Sequence, residues 1–261
     1  MSQGLHLSLR NVTKTFQADD AEPFTALSGV DLDVRQGELL TLVGPSGCGK
    51  STILALFAGL TLPSGGEVLI DGAPVTGPAF DRGIVVQQYA LFPWRTAQAN
   101  VEFGLEAKGA PRRERARELL ELVGLSGYAE RYPHELSVGR RQLVALARSL
   151  AFDPGVLLMD EPFAGLDTRT REWLQERFVR IWRESGKTVV FITHDIDEAV
   201  CLGQRVAVMT AAPGRIKKIV DVGVQDERRV DPAHRRHVWS LLRDEVVAAR
   251  EMERKVAASH G

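Results

Sequence analysis

Cysteine is scarce in this chain. Only Cys48 and Cys201 occur among 261 residues, too few for a disulfide framework and at no zinc-binding spacing, so a reducing compartment is expected. Long apolar runs are also missing. The longest stretch without a charged residue, Ser51 to Gly66, is broken by Gly59, Pro63, Gly65 and Gly66, whereas a membrane-spanning helix needs about 20 mostly apolar residues. Met1 to Arg10 has neither the basic start nor the apolar run of a secretory signal. A cytoplasmic chain is expected, with any membrane role reached through a partner. Neither sign of charge dominates: 33 Lys and Arg against 34 Asp and Glu leave a net charge of -1, which gives no electrostatic reason to bind nucleic acid. There is no internal repeat and no low-complexity linker. What remains, 44% apolar and 26% charged residues, is an ordinary globular composition. The length suits one large α/β domain, or a domain with an inserted subdomain.

Strands and helices alternate along the chain. Leu5, Leu7 and Leu9 mark a half-buried strand, as do Val30, Leu32 and Val34. Leu39 to Val43 is nearly all apolar, the pattern of a strand buried on both faces. A helix is expected from Ser51 to about Ala58, then short strands over Glu67–Ile70 and Gly83–Val86. From about Gln88 to Tyr132 strand signals vanish. A charged helix runs from about Pro111 to Val123, with Gly124 as its stop. Ser137 to Ala151 continues with helical period. Further on, Val156–Met159 and Thr188–Ile192 read as buried strands, and Thr168–Glu184 as a helix with Leu174, Phe178 and Ile181 inward. Arg205–Met209 and Arg215–Val220 read as strands flanking a Pro213-Gly214 turn, and a charged helix starts near Asp231.

Three elements carry chemistry. Gly44-Pro45-Ser46-Gly47-Cys48-Gly49-Lys50-Ser51 fits the phosphate-loop pattern G-x-x-x-x-G-K-[ST]. Its glycines let successive N–H groups converge on one anion, and the helix that follows points its positive end at the same place. Lys50 reaches the β- and γ-phosphates, and the Ser51 hydroxyl suits Mg²⁺. Chance would produce the bare pattern in roughly one chain of this length per hundred, and the strand before and helix after it lower that further. Cys48 reads as a small loop filler. Second, Val156 to Met159 ends in Asp160 and Glu161. In a parallel sheet such strand ends face the ligand crevice, where Asp160 suits Mg²⁺ and Glu161 suits a general base on water. Third, Thr193-His194-Asp195 closes the strand Thr188–Ile192, and His194 is expected at the same sheet edge.

These residues resemble the ATP-binding subunits of ABC transporters over nearly the whole length, to about Val220. Leu136-Ser137-Val138-Gly139-Arg140 resembles the family signature, Gln87 the Q-loop glutamine, Ala164-Gly165-Leu166-Asp167 the D-loop and His194 the switch histidine; Phe16 stands where the family places an aromatic against adenine. The resemblance implies an α/β fold: a P-loop NTPase core with a parallel-sheet RecA-like subdomain, an antiparallel β subdomain and an inserted helical subdomain at about 88–152, within a nucleotide-binding domain over 1–225, followed by a helical tail over 226–261. It implies ATP and Mg²⁺ as cofactors, with Gly44 to Thr52, Phe16, Ser137, Gly139 and Asp167 at the nucleotide. Ser51, Gln87 and Asp160 would stand at the metal, and Glu161, His194 and Gln87 would act in catalysis. It also implies two copies facing head to tail around two ATP molecules, with Ser137 and Gly139 of one copy completing the other's site. Permease subunits and, indirectly, a substrate-binding protein are the implied partners at the cytoplasmic face of the membrane; nucleic acid is not among them. An ABC-type ATPase not coupled to transport is the alternative.

The signature departs from the family pattern. Val138 replaces the usual first glycine, Arg140 the usual glutamine, and Leu143 stands where relatives commonly carry arginine. Leu91-Phe92-Pro93-Trp94 and Pro213-Gly214-Arg215 resemble importers of the nitrate, sulfonate and taurine type. Leu91, Phe92 and Trp94 suit apolar anchors for a permease helix, with packing inside the helical region as the alternative. In the tail, Val238, Leu241, Leu242 and Val246 form an apolar stripe among charges.

Overall fold

The structure is a computed structural model, and it describes residues 4–18, 21–86, 90–106, 112–223 and 231–259. The chain packs as two compact units. One joins Met1–Pro78 to Val190–Gly261, and the other is Ala79–Val189.

The first unit holds an antiparallel sheet in the order β2-β1-β4-β5, built from β1 (Leu5–Ala18), β2 (Ala21–Arg35), β4 (Gly65–Ile70) and β5 (Ala73–Pro74). Its register carries the expected alternation. Leu7 faces Val34 and Ile70, and Leu9 faces Leu32 and Val68, and all six are buried. Along the same unit, β3 (Leu39–Val43) pairs in parallel with β9 (Arg205–Met209). β9 in turn pairs antiparallel with β10 (Ile216–Asp221). Every residue of β3 is buried, as an apolar run in a sheet covered on both faces must be. Helix α1 (Lys50–Ala58) follows β3. Helices α6 (Ile196–Leu202) and α7 (Pro232–Ser259) close the C-terminal part. Val238 and Leu242 of α7 enter one apolar cluster with Val43, Ala199, Val200, Val206, Val208 and Val220, and Leu241 and Val246 pack against it. The apolar stripe of the tail is therefore core.

The second unit contains β6 (Arg82–Val85) parallel to β7 (Val156–Asp160), and the helices α2 (Ala97–Glu106), α3 (Arg112–Leu122), α4 (Val138–Ala151) and α5 (Thr168–Ser185). α2 packs closely on α4: a Cβ on Gly104 would lie 2.8 Å from Ala151 Cβ. Leu174, Phe178 and Ile181 of α5 are buried. Strand β8 (Thr188–Ile192) is wholly buried, and the boundary between the units falls inside it. Two helices escape the sequence pattern. α2 includes Asn100 and Gly104, poor helix formers. α6 has only seven residues and is started by Asp195, whose carboxylate accepts from Asp197 N and Glu198 N at 2.9 and 3.2 Å. Among the described residues no helix is long and apolar enough to cross a membrane.

Candidate nucleotide-binding site

The phosphate loop is built from close approaches that only glycine permits. Gly47 and Gly49 have φ of 72° and 93°, in the left-handed region that costs other residues energy. A Cβ on Gly49 would lie 2.5 Å from Leu27 Cδ2 and 3.0 Å from Ala26 O. A Cβ on Gly44 would lie 2.6 Å from Cys48 Sγ. Cys48 is fully buried, burial pushes its thiol pKa up, and its role is to fill the loop. Lys50 is nearly buried, and its Nζ donates to Gly44 O at 2.9 Å and Pro45 O at 2.8 Å. Helix α1 starts behind it with no side-chain cap at Gly49 and no acid in its first turn. Its N-terminal N–H groups thus face outward without a protein carboxylate, the arrangement that receives an external anion. Ser51 is exposed and Thr52 half-buried at this helix start.

His194 belongs to the same unit. Thr193 N donates to Leu42 O at 3.3 Å, so the end of β8 lies beside the end of β3 that feeds the loop. His194 is the exposed residue that follows, placed at that carboxyl edge. Thr193 Oγ1 accepts from Asp195 N at 3.0 Å and fixes the turn.

In the second unit, β7 ends in Asp160 and Glu161, both half-buried. Glu161 has φ of 44°, a strained conformation for a residue with a side chain and one that collects at functional turns. Ala164 N donates to Glu161 O at 3.1 Å, and Gly165 has φ of 74°. Asp167 then caps α5 by accepting from Thr170 N at 3.1 Å, and its bonds from Thr170 hold its carboxyl below the usual carboxylate range.

The signature forms the start of α4. Ser137 is exposed and caps the helix, its Oγ accepting from Arg140 N at 3.4 Å. Val138 is the first helical residue and keeps a negative φ, so the missing glycine costs no backbone strain here. Arg140 lays its guanidinium 4.0 Å from the Tyr128 ring centroid, a cation–π contact. Gly139 is buried, and a Cβ there would lie 2.8 Å from Thr170 Cγ2. Its lack of a side chain is thus required by the contact between α4 and α5 in the same copy.

Comparisons with known proteins bear on the family and the fold. A family model described as ABC transporter matches residues 27–164. An uncharacterized ABC transporter ATP-binding protein of Methanocaldococcus jannaschii is 48% identical over 248 residues, covering 92% of each chain. A taurine import ATP-binding protein of Roseobacter denitrificans is 44% identical over 236 residues, 87% of this chain and 88% of the relative. The ATP-binding cassette MJ0796, solved as a dimer in a post-hydrolysis state bound to ADP and Pi, superposes with a TM-score of 0.74 at 37% identity over 83% of this chain and 98% of that one. The chain belongs to the ABC transporter family. It is an ATP-binding, ATP-hydrolysing cassette.

In this cassette Phe16 is about half exposed on β1, and Lys14 Nζ stands 4.9 Å from its ring centroid. The segment after the Q-loop divides its aromatics. Phe92 is half-buried, edge-on to Phe103 at 4.7 Å. Buried Asn100 ties the turn by bonding Phe92 N, Phe92 O, Arg95 O and Thr96 O. Trp94 is 71% exposed. Packing within the helical region therefore takes up Phe92, and Trp94 stands out from it. Gln87, Gln88 and Tyr89 lie outside the described residues.

Two site features are not legible as motifs. Gly214, in the β9–β10 turn, stands behind the phosphate loop: a Cβ there would lie 1.9 Å from Cys48 O. The turn is held by Gly214 N donating to Ala26 O at 2.8 Å and Ser28 N donating to Gly214 O at 3.1 Å. Pro213-Gly214 signals a turn in sequence, but nothing there says what the turn abuts. The other is Gln142 of α4, a buried amide that sequence periodicity assigns only to the inner face.

Proposed function

We propose that the cassette is the energy-coupling subunit of an importer for a small anion, of the taurine, alkanesulfonate or nitrate class. It works as a head-to-tail pair of copies on the cytoplasmic face of the membrane, bound to permease subunits and served indirectly by a substrate-binding protein. Two ATP molecules lie between the copies. Gly44 to Thr52 of one copy cradle the triphosphate, with Phe16 against the base, and Ser137, Gly139 and Asp167 of the other copy complete the site. The observation that carries this reading is the exposed, hydroxyl-capped start of α4, a second anion-receiving helix end in the compact unit that does not contain the phosphate loop.

Ser51, Gln87 and Asp160 are the residues that would hold Mg²⁺. They offer a hydroxyl, an amide and a carboxylate, and no cluster of three His, Cys, Asp or Glu occurs among the described residues. That donor set suits an ion that relies on one or two carboxylates, several waters and the phosphates themselves. Bound there, the ion supplies charge neutralisation on the phosphate oxygens. Glu161 takes the proton of the attacking water, His194 orients the γ-phosphate, and Gln87 senses it. Of Leu91, Phe92 and Trp94, Phe92 is engaged inside the helical region, so Trp94 serves as the outermost anchor for a permease helix, with Leu91 close to it in the chain.

The test has two arms. Glu161→Gln is expected to bind ATP normally, to lose about 100-fold or more in hydrolysis rate, and to accumulate as an ATP-dependent dimer in size-exclusion chromatography. Adding Ser137→Arg is expected to abolish that dimer while leaving ATP binding to the monomer intact. An ATP-dependent dimer that survives Ser137→Arg would rule out the shared site. Stimulation of ATPase activity in permease-containing vesicles by taurine, an alkanesulfonate or nitrate with a binding protein would assign the substrate.

A further inference from the structure

Helix α4 runs back along β6 and β7. Near its end, Ser149 Oγ donates to Ile84 O at 2.8 Å, and the chain re-enters the sheet at Val156, paired with Arg82. The opposite end of α4 therefore lies toward the carboxyl edge of these strands, where Asp160 and Glu161 stand. The approach of Gly139 to Thr170 fixes that level, because Thr170 opens α5 just after the Glu161–Asp167 turn.

Gln142 stands one turn after Gly139 and two turns before Ser149, on the face they share. It is 2% exposed. Among the described residues, neither its Oε1 nor its Nε2 has a hydrogen-bond partner. A buried amide with its bonding capacity unmet is costly, and a leucine or methionine would fill similar space without that cost. The turn at the same level, Glu161–Asp167, holds strained backbone at Glu161.

We propose that Gln142 is a positioning residue for hydrolysis. In the closed, ATP-loaded state its amide takes hydrogen bonds from the backbone of the Glu161–Asp167 turn. The signature helix thereby sets the orientation of Glu161 at the moment the partner copy engages it. This rests on the reading of Glu161 as the base.

The experiment compares wild-type protein with Gln142→Met, Gln142→Leu and Glu161→Gln in steady-state ATPase assays and nucleotide-free thermal melts. Both Gln142 variants are expected to lose about 10-fold or more in kcat, with KM for ATP within about twofold and a Tm equal to or above that of wild type. Wild-type kcat in both would overturn the proposal. A kcat loss accompanied by a raised KM and a lowered Tm in both would also overturn it, because that is the signature of packing alone. If Glu161→Gln turns over at the wild-type rate, the reading of the base fails and the proposal with it. That outcome is distinct from retained turnover in the Gln142 variants, which ends the proposal alone.

Discussion

Lys50 turns its ammonium back onto Gly44 O and Pro45 O. The ammonium is thus already held within the loop, and on the proposed reading binding would exchange its carbonyl partners for phosphate oxygens without a search by a long flexible chain. The same economy explains Gly214. Its hydrogen places the β9–β10 turn directly against the Cys48 carbonyl, and one added carbon at that point must displace backbone. Gly214→Ala is expected to cost about 1–3 kcal/mol of stability and to weaken ATP binding, read by thermal melts and by equilibrium dialysis with nucleotide. A variant that binds ATP as wild type does would mean that the loop tolerates the shift. The motif Gly44–Ser51 was legible because its chemistry is local to eight residues. Gly214 was not, because its partner lies more than 160 positions earlier in the chain and only the folded register of β3, β9 and β10 brings them together.

At the scale of elements, the signature helix is held at its start by Ser137 and against α5 by Gly139. The signature resemblance implies a role for Gly139 at the phosphate, and the structure adds a packing reason for the same residue. Val138, which the pattern marks as a departure, is an ordinary first helical residue. The apolar runs predict β3, β7 and β8 to within a residue, because buried apolar runs of that length have few alternatives, whereas the alternation at Leu5–Val12 finds the start of β1 but not its extension to Ala18. α6 was hidden because its start is encoded by one side chain, Asp195, rather than by period. Capping also sets a pH dependence. Asp167 has a carboxyl pKa held low in the folded state by Thr170. Its contribution is therefore fully present above the unfolded carboxylate pKa of about 3.9 and is lost as pH falls through the lower folded value. Asp167→Ala is expected to lower Tm at pH 7, with the gap from wild type narrowing at acid pH. Asp167→Asn, which keeps a capping oxygen, is expected to retain most of the stability. A gap that does not change with pH would argue against an ionised cap.

At the scale of the whole molecule, the C-terminal helix belongs to the core of the first unit. Leu242→Ala is expected to cost about 2–5 kcal/mol, measured by denaturant unfolding, where a removable tail would cost nothing. Trp94 presents the opposite case. It is largely exposed, so Trp94→Ala is expected to leave Tm and basal ATPase activity unchanged while reducing permease-dependent stimulation about tenfold or more, the range of an interface anchor. Equal stimulation with and without the indole would move the docking surface elsewhere.

The contact between Gly214 and the back of the phosphate loop also orders events during synthesis. Strand β3 and its loop leave the ribosome early, yet the neighbour of β3 is β9, and the prop behind Cys48 arrives with the turn that follows β9. A nascent chain arrested before residue 205 carries every residue of the nucleotide motif and should not retain ATP. Competence would come only when the last strands have been delivered, so truncated products would draw nothing from the cell's nucleotide pool.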